Sequence, residues 1–220
     1  MDRPNSSTPN RILARALASG RGSVFTPSDF LDLAERSAVD QALSRLANSG
    51  KLRRLARGLY DLPKLHPRLG PLSPDPDHVA RALARETGSK VQIAGARAAH
   101  LLGLTLQVPA QSDYLTDGPS RRVVLGKRVI NLRRASPKHL ILPGSAAGTI
   151  VQALRHLGPA RADDVIRIAA RSLPAADKKR LGASVRQAPA WMRPAPLAIT
   201  AIGAGKDCDP PMGRKRDLPR

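Results

Sequence analysis

SAVDQALSRLANSGKLRRLARGLYDLP, residues 37–63, sets a short amphipathic helix directly before two arginine-rich strands that meet at Arg57-Gly58. At 100° per residue, Ala42, Leu43 and Leu46 lie within about 60° of Val39 on one side of that helix. Ser37, Gln41, Ser44, Arg45 and Asn48 lie within about 60° of the opposite side. One face is therefore apolar and the other small, polar and basic. The SAVD pattern predicts that Ser37 starts the helix as a capping box, and Gly50 ends it. Leu52 to Ala56 and Leu59 to Leu62 read as strands, with Gly58 supplying the positive φ of a tight turn and Pro63 ending the pair.

Upstream, Asn10 is placed to cap a helix whose apolar positions are Ile12, Leu13, Ala16 and Leu17, stopped by Gly20 to Gly22. Val24-Phe25 is a short apolar run. Thr26, Pro27 and Asp29 then form a capping-box start for a second helix, with Phe30, Leu31 and Ala34 inward. Helix, short strand, helix, helix and hairpin is the order of a winged helix-turn-helix, which sets residues 8–64 as an expected DNA-binding domain. In that fold the recognition helix enters the major groove, where each base pair shows a distinct donor and acceptor pattern. Gln41 suits adenine and Arg45 guanine, while Ser37, Ser44 and Asn48 are short enough for close approach. Arg53, Arg54, Arg57 and Gly58 would form the wing, its arginines meeting phosphates, with Lys51 just before it. The bland reading of the helix is a solvated face; the basic hairpin placed immediately after it favours the DNA reading.

Pro67 to Pro76 reads as a linker. Beyond it, helices are expected around His78 to Thr87 and Ala94 to Leu102. Three strands follow in SDYLTD, RRVVL and RVINLRR, then helices at Ala146 to Leu157, Ala162 to Arg171 and Ala175 to Arg186. The fold class expected is α+β: the N-terminal winged helix-turn-helix, a mixed α/β domain over 76–190, and a disordered basic tail over 195–220.

The formal charge of +20, from 37 Lys and Arg against 17 Asp and Glu, makes a polyanion the default partner. The excess is spread, at +5 over 1–65, +7 over 66–150 and +8 over 151–220, so charge alone locates no site. Arginine outnumbers lysine 28 to 9 in a chain rich in Ala, Gly and Pro, a usage that GC-rich coding also produces. Arg121, Arg122, Lys127, Arg128, Arg133 and Arg134 form a candidate second basic surface. The five aromatics, Phe25, Phe30, Tyr60, Tyr114 and Trp191, are too few for the stacking platforms of single-strand binders, which favours duplex DNA. Cys208, the single cysteine, excludes an intramolecular disulfide and a cysteine-clustered zinc site, and fits a cytoplasmic location. No stretch approaches a membrane span.

Asp113 and Asp117, with Lys127 in the next strands, loosely echo metal-dependent nucleases, but Asp117-Gly118 is an ordinary turn pair. Asp163-Asp164 suits the first turn of a helix. His66, His78, His100, His139 and His156 show no metal-ligand spacing. No catalytic residue, metal site or cofactor is expected, and the chain is not expected to be an enzyme.

The pieces RLARGLYDLP, LGLTLQVPA and YLTDG, within a match over roughly residues 8–160, resemble the AbiEi-like antitoxins of type IV abortive-infection toxin-antitoxin systems. The resemblance implies an N-terminal winged helix that binds operator DNA and represses its own promoter, with Arg57, Gly58 and Tyr60 as its wing signature. It also implies a C-terminal domain that counteracts a nucleotidyltransferase-like toxin. A homodimer on an inverted repeat would match operator symmetry. The alternative is a stand-alone regulator whose second domain dimerises or senses a ligand; the third reading is the nuclease.

Overall fold

The structure, a computed structural model, describes residues 7–204 and is mixed α and β. Its N-terminal half comprises α1 (Thr8–Ala18), β1 (Val24–Phe25), a single 3-10 turn (Pro27–Phe30), α2 (Arg36–Asn48), β2 (Arg53–Ala56) and β3 (Leu59–Asp61). The sheet order is β1-β3-β2, antiparallel throughout. Ile12, Ala16, Phe30, Val39, Leu43 and Leu46 close a core beneath it. The face of α2 assigned to the core is therefore the buried one.

Several local expectations shift. Ser7, not Asn10, is the N-cap of α1. The Thr26/Asp29 capping box forms, with Asp29 Oδ2 accepting from Thr26 N at 2.7 Å, yet the helix it starts lasts only four residues. Leu31 is exposed there rather than inward. The α2 N-cap is Glu35 instead of Ser37, and no side chain caps it. Asp40 of the SAVD pattern pairs instead with Arg36 one turn back, at 3.0 Å. Arg15 ties α1 to the segment before α2 by two 2.6 Å bonds to Asp32. That hydrogen bonding holds the Asp32 carboxyl below the usual carboxylate range.

The proline-rich segment read as a linker carries β5 (Gly70–Pro71), which pairs with β4 (Leu65–His66) just before it, and runs straight into α3 (Pro76–Glu86). Asp75 caps α3 by accepting from Asp77 N at 2.8 Å. A four-stranded sheet follows, ordered β6-β7-β9-β8, from β6 (Val91–Ile93), β7 (Gln111–Thr116), β8 (Arg121–Leu125) and β9 (Arg128–Arg134). The last three are the strands anticipated; the Val-Gln-Ile alternation of β6 is only three residues long, too short to mark a strand. β8 and β9 form a hairpin, while β7 and β9 run parallel. The remaining helices are α4 (Gly95–Leu101), α5 (Ala146–Leu157), α6 (Ala162–Ser172), α7 (Ala175–Ala183) and α8 (Pro194–Ala204).

α8 corrects the tail expected from residue 195. Its residues Ala195 and Ile199 are buried with Leu181, Val165 and Ala169 of α6 and α7. Prolines at 194 and 196 sit in the first turn, where a missing N–H costs nothing, and the following LAIT run is apolar enough to pack. Residues 205–220 of the expected tail lie outside the described residues.

The two halves share a core. Val24 and Leu59 of the first sheet pack with Val79 and Leu83 of α3 and with Val123, Ile130 and Leu132 of the second sheet. α3 is thus a wedge between both sheets, and its Arg85 reaches back to Val24 O (3.0 Å) and Asp29 Oδ1 (3.0 Å). Tyr114 and Arg97 converge on Asp77 beneath it; burial, reinforced by the Asp77 hydrogen bond, pushes the Tyr114 phenol up.

At the start of α5 the chain is packed so closely that Gly148 has no room for a side chain. A Cβ there would lie 2.1 Å from Leu142 O and 2.8 Å from Gln92 Oε1, and Leu142 itself sits at φ +50°. Gly148→Ala, which in an exposed helix would stabilise, is expected to destabilise by about 1–3 kcal/mol through overpacking. A thermal melt of the variant with an unchanged or raised midpoint would contradict that packing.

Candidate nucleic-acid interface

The outer face of α2 carries the residues assigned to base contact. Ser37, Gln41, Arg45 and Asn48 are exposed and Ser44 is half-buried. The β2–β3 hairpin follows after four residues. Its turn pairs Ala56 with Leu59 across Arg57-Gly58, and Gly58 has φ +69°. Among the described residues nothing lies within 4 Å of a Cβ built on Gly58, so the backbone conformation, not crowding, selects glycine there. Lys51, Arg54 and Arg57 are exposed, and neither they nor Arg45 forms an ion pair among the described residues. Four cations without an ion pair among the described residues thus lie on α2 and the hairpin that follows it, and Asp40 of α2 is held by Arg36.

Arg53 does not belong with them. Its guanidinium grips Asp61 through Nε to Oδ1 at 3.0 Å and Nη2 to Oδ2 at 2.6 Å, and donates to Leu72 O at 2.8 Å. Asp61 is fully buried. Successive residues of a strand point to opposite faces, so the consecutive arginines of β2 are directed to different tasks, Arg54 outward and Arg53 to the seam. Sequence alone cannot separate them, because the partner carboxylate is fixed by the cross-strand register Arg53↔Asp61.

The second set of basic residues is split rather than continuous. Pairing in the β8–β9 ladder sets Arg122 and Arg133 on the open polar side of the sheet. Arg121, Arg128 and Arg134 lie on the side of Ile130 and Leu132, and Lys127 is at the turn. Arg121 is paired with Glu86, and Arg133 with Asp113 at 3.1 Å. Arg122, Lys127, Arg128 and Arg134 stay exposed without an ion pair among the described residues.

The carboxylates weighed for nuclease chemistry have other occupations. Asp113 accepts from Asn131 Nδ2 at 2.8 Å and from Arg133, and Asp117 accepts from Lys90 N at 2.7 Å at a turn. Asp163 and Asp164 sit in the first turn of α6, where Arg161 and Arg167 hold the Asp164 carboxyl below the usual range, chiefly through the Arg161 hydrogen bond. No group of three His, Cys, Asp or Glu side chains suited to a metal ion occurs among the described residues. No described helix is long and apolar enough to cross a membrane.

Tertiary structure also assembles a feature absent from the sequence reading. A cleft of about 550 Å³ opens between the halves, with Lys64, His78 and Arg128 in its wall. These come from three separate segments, so no local pattern announces them.

No curated protein and no solved structure is significantly similar to the chain. A family model does match, over residues 11–180, which takes in the helix–hairpin segment, α3, the second sheet and helices α5 and α6. The chain belongs to the DUF6088 family, a family of unknown function.

Proposed function

We propose that the chain is a DNA-binding transcriptional autoregulator of winged helix-turn-helix type, and that it serves as the antitoxin of a type IV toxin-antitoxin system. α2 is the recognition helix, with Gln41 and Arg45 reading bases from the major groove. Arg54 and Arg57 on the hairpin, with Lys51, contact phosphates; Arg53 is reserved for the seam. The observation that carries the DNA reading is the exposed small-and-basic face of α2, followed by a hairpin whose outward arginines form no ion pair among the described residues. The antitoxin role, directed against a nucleotidyltransferase-like toxin, rests on the sequence resemblance alone. A two-fold operator in the chain's own promoter, bound by a homodimer, is the expected target.

A gel shift at controlled salt, on the chain's own upstream promoter against a scrambled duplex of equal length, tests the reading. Preference of about a thousandfold or more supports a specific regulator. Equal, salt-sensitive binding to both duplexes would mean that only the net charge is sensed. Arg45→Ala is expected to lower specific affinity by about 1–3 kcal/mol and to relax base preference at one position. Equal losses on promoter and random duplex would contradict the groove assignment. Arg57→Ala should instead weaken binding to every sequence and flatten the salt dependence by about one unit, which a titration at several salt concentrations reads directly.

A further inference from the structure

The cleft between the halves has the construction of a small-molecule site. Its volume of about 550 Å³ lies in the range that holds a small ligand and is far too small for a duplex. Gly22 organises its cationic wall. At φ +94° this residue donates its N–H to Leu62 O at 2.6 Å and turns its carbonyl to His78 Nδ1 at 2.8 Å. A Cβ on Gly22 would lie 2.7 Å from Lys64 Cε, so the stem of Lys64 lies directly over the glycine. The positive φ favours glycine at 22, and a side chain there would push the Lys64 stem aside. Arg128, the first residue of β9, completes the wall from the other half.

The charges in this wall are unevenly satisfied. Asp61 spends both oxygens on Arg53, and Asp75 spends one on the α3 cap. Arg97 is engaged by Asp77 at 3.0 Å. Lys64 and Arg128 form no ion pair among the described residues. The hydroxyl residues Ser73 and Ser112 also line the cleft, and Leu72, Pro74, Val108 and Pro109 give it an apolar side. The cleft thus combines two cations without an ion pair among the described residues, a histidine, hydroxyls and apolar side chains.

We propose that this cleft binds a small molecule bearing a phosphomonoester, its phosphate taken by Arg128 and Lys64 and its remainder lying on the apolar wall. A phosphate dianion matches two full charges better than a single carboxylate, and guanidinium offers it two parallel donors.

Calorimetric titration of the full chain with inorganic phosphate, ribose 5-phosphate and AMP, with adenosine as the uncharged match to AMP, tests the site without using DNA. Saturable binding of AMP at one site per chain is expected, with adenosine at least about tenfold weaker. Lys64→Ala and Arg128→Ala should each weaken AMP about tenfold. Arg122→Ala, an exposed arginine on the other side of the sheet, should leave it unchanged. The proposal is overturned by the absence of saturable heat with all three phosphates up to about 10 mM, by equal binding of adenosine, or by an Arg122→Ala loss as large as that of Arg128→Ala. Failure of the DNA reading would appear separately, as wild-type chain that shifts promoter and scrambled duplex alike.

Discussion

Arg53→Ala is expected to lower the unfolding free energy by about 3–5 kcal/mol, the cost of leaving a buried carboxylate without its cation. Asp61 is fully buried and receives both of its side-chain hydrogen bonds from Arg53, which is itself two-thirds covered and also holds Leu72 O. Removing the guanidinium therefore strands a charge at the seam between β2, β3 and the segment leading to α3. Urea denaturation of the full chain measures the effect; a loss below about 1 kcal/mol would place the pair in the class of surface ion pairs and contradict its burial. Replacing both partners, in Arg53→Met/Asp61→Leu, should recover most of the stability, because apolar substitution of a whole buried pair is often close to neutral. At a temperature where Arg53→Ala remains folded, the salt dependence of DNA binding should match that of the wild type, since this arginine meets no phosphate in the proposed complex. A slope reduced by about one unit would return Arg53 to the interface.

Leu59→Ala is expected to cost about 2–5 kcal/mol and to be felt in both halves of the molecule. Leu59 is fully buried on β3, yet its neighbours in the core include Val79 and Leu83 of α3 and Ile130 and Leu132 of β9. The chain holds one tryptophan, Trp191, far along the sequence beside Met192 in the C-terminal helical layer. Because the sheets share a core through α3, truncation at Leu59 should move the unfolding midpoint reported by Trp191 fluorescence. A Trp191 transition left in place, with only the far-ultraviolet signal shifted, would mean that the halves unfold as independent units.

The seam also explains why the segment after Pro67 does not behave as the linker its composition suggests. Proline and glycine content describes only backbone preference. Here Pro76 is the first residue of a helix and Leu72 O is a hydrogen-bond acceptor for Arg53, so tertiary partners tie down a stretch that is unremarkable as sequence.

Local physics made much of this protein legible in advance. The 3.6-residue spacing of Val39, Ala42, Leu43 and Leu46 determined which face of α2 is buried, and Gly58 determined where the hairpin turns, because both are properties of a few adjacent residues. The β8–β9 hairpin and helices α5 and α6 were readable for the same reason. Tertiary structure alone decided what depends on partners distant in the chain. It reduced the second helix to one 3-10 turn, drew 194–204 into a helix on α6 and α7, and divided the basic residues of β8 and β9 between two sides of a sheet. It also took Arg53 away from solvent and gathered Lys64, His78 and Arg128 into one cleft. Whether a given arginine is free to meet a phosphate depends on the cross-strand register and on which carboxylate that register sets beside it, and neither is encoded within the arginine's own neighbourhood.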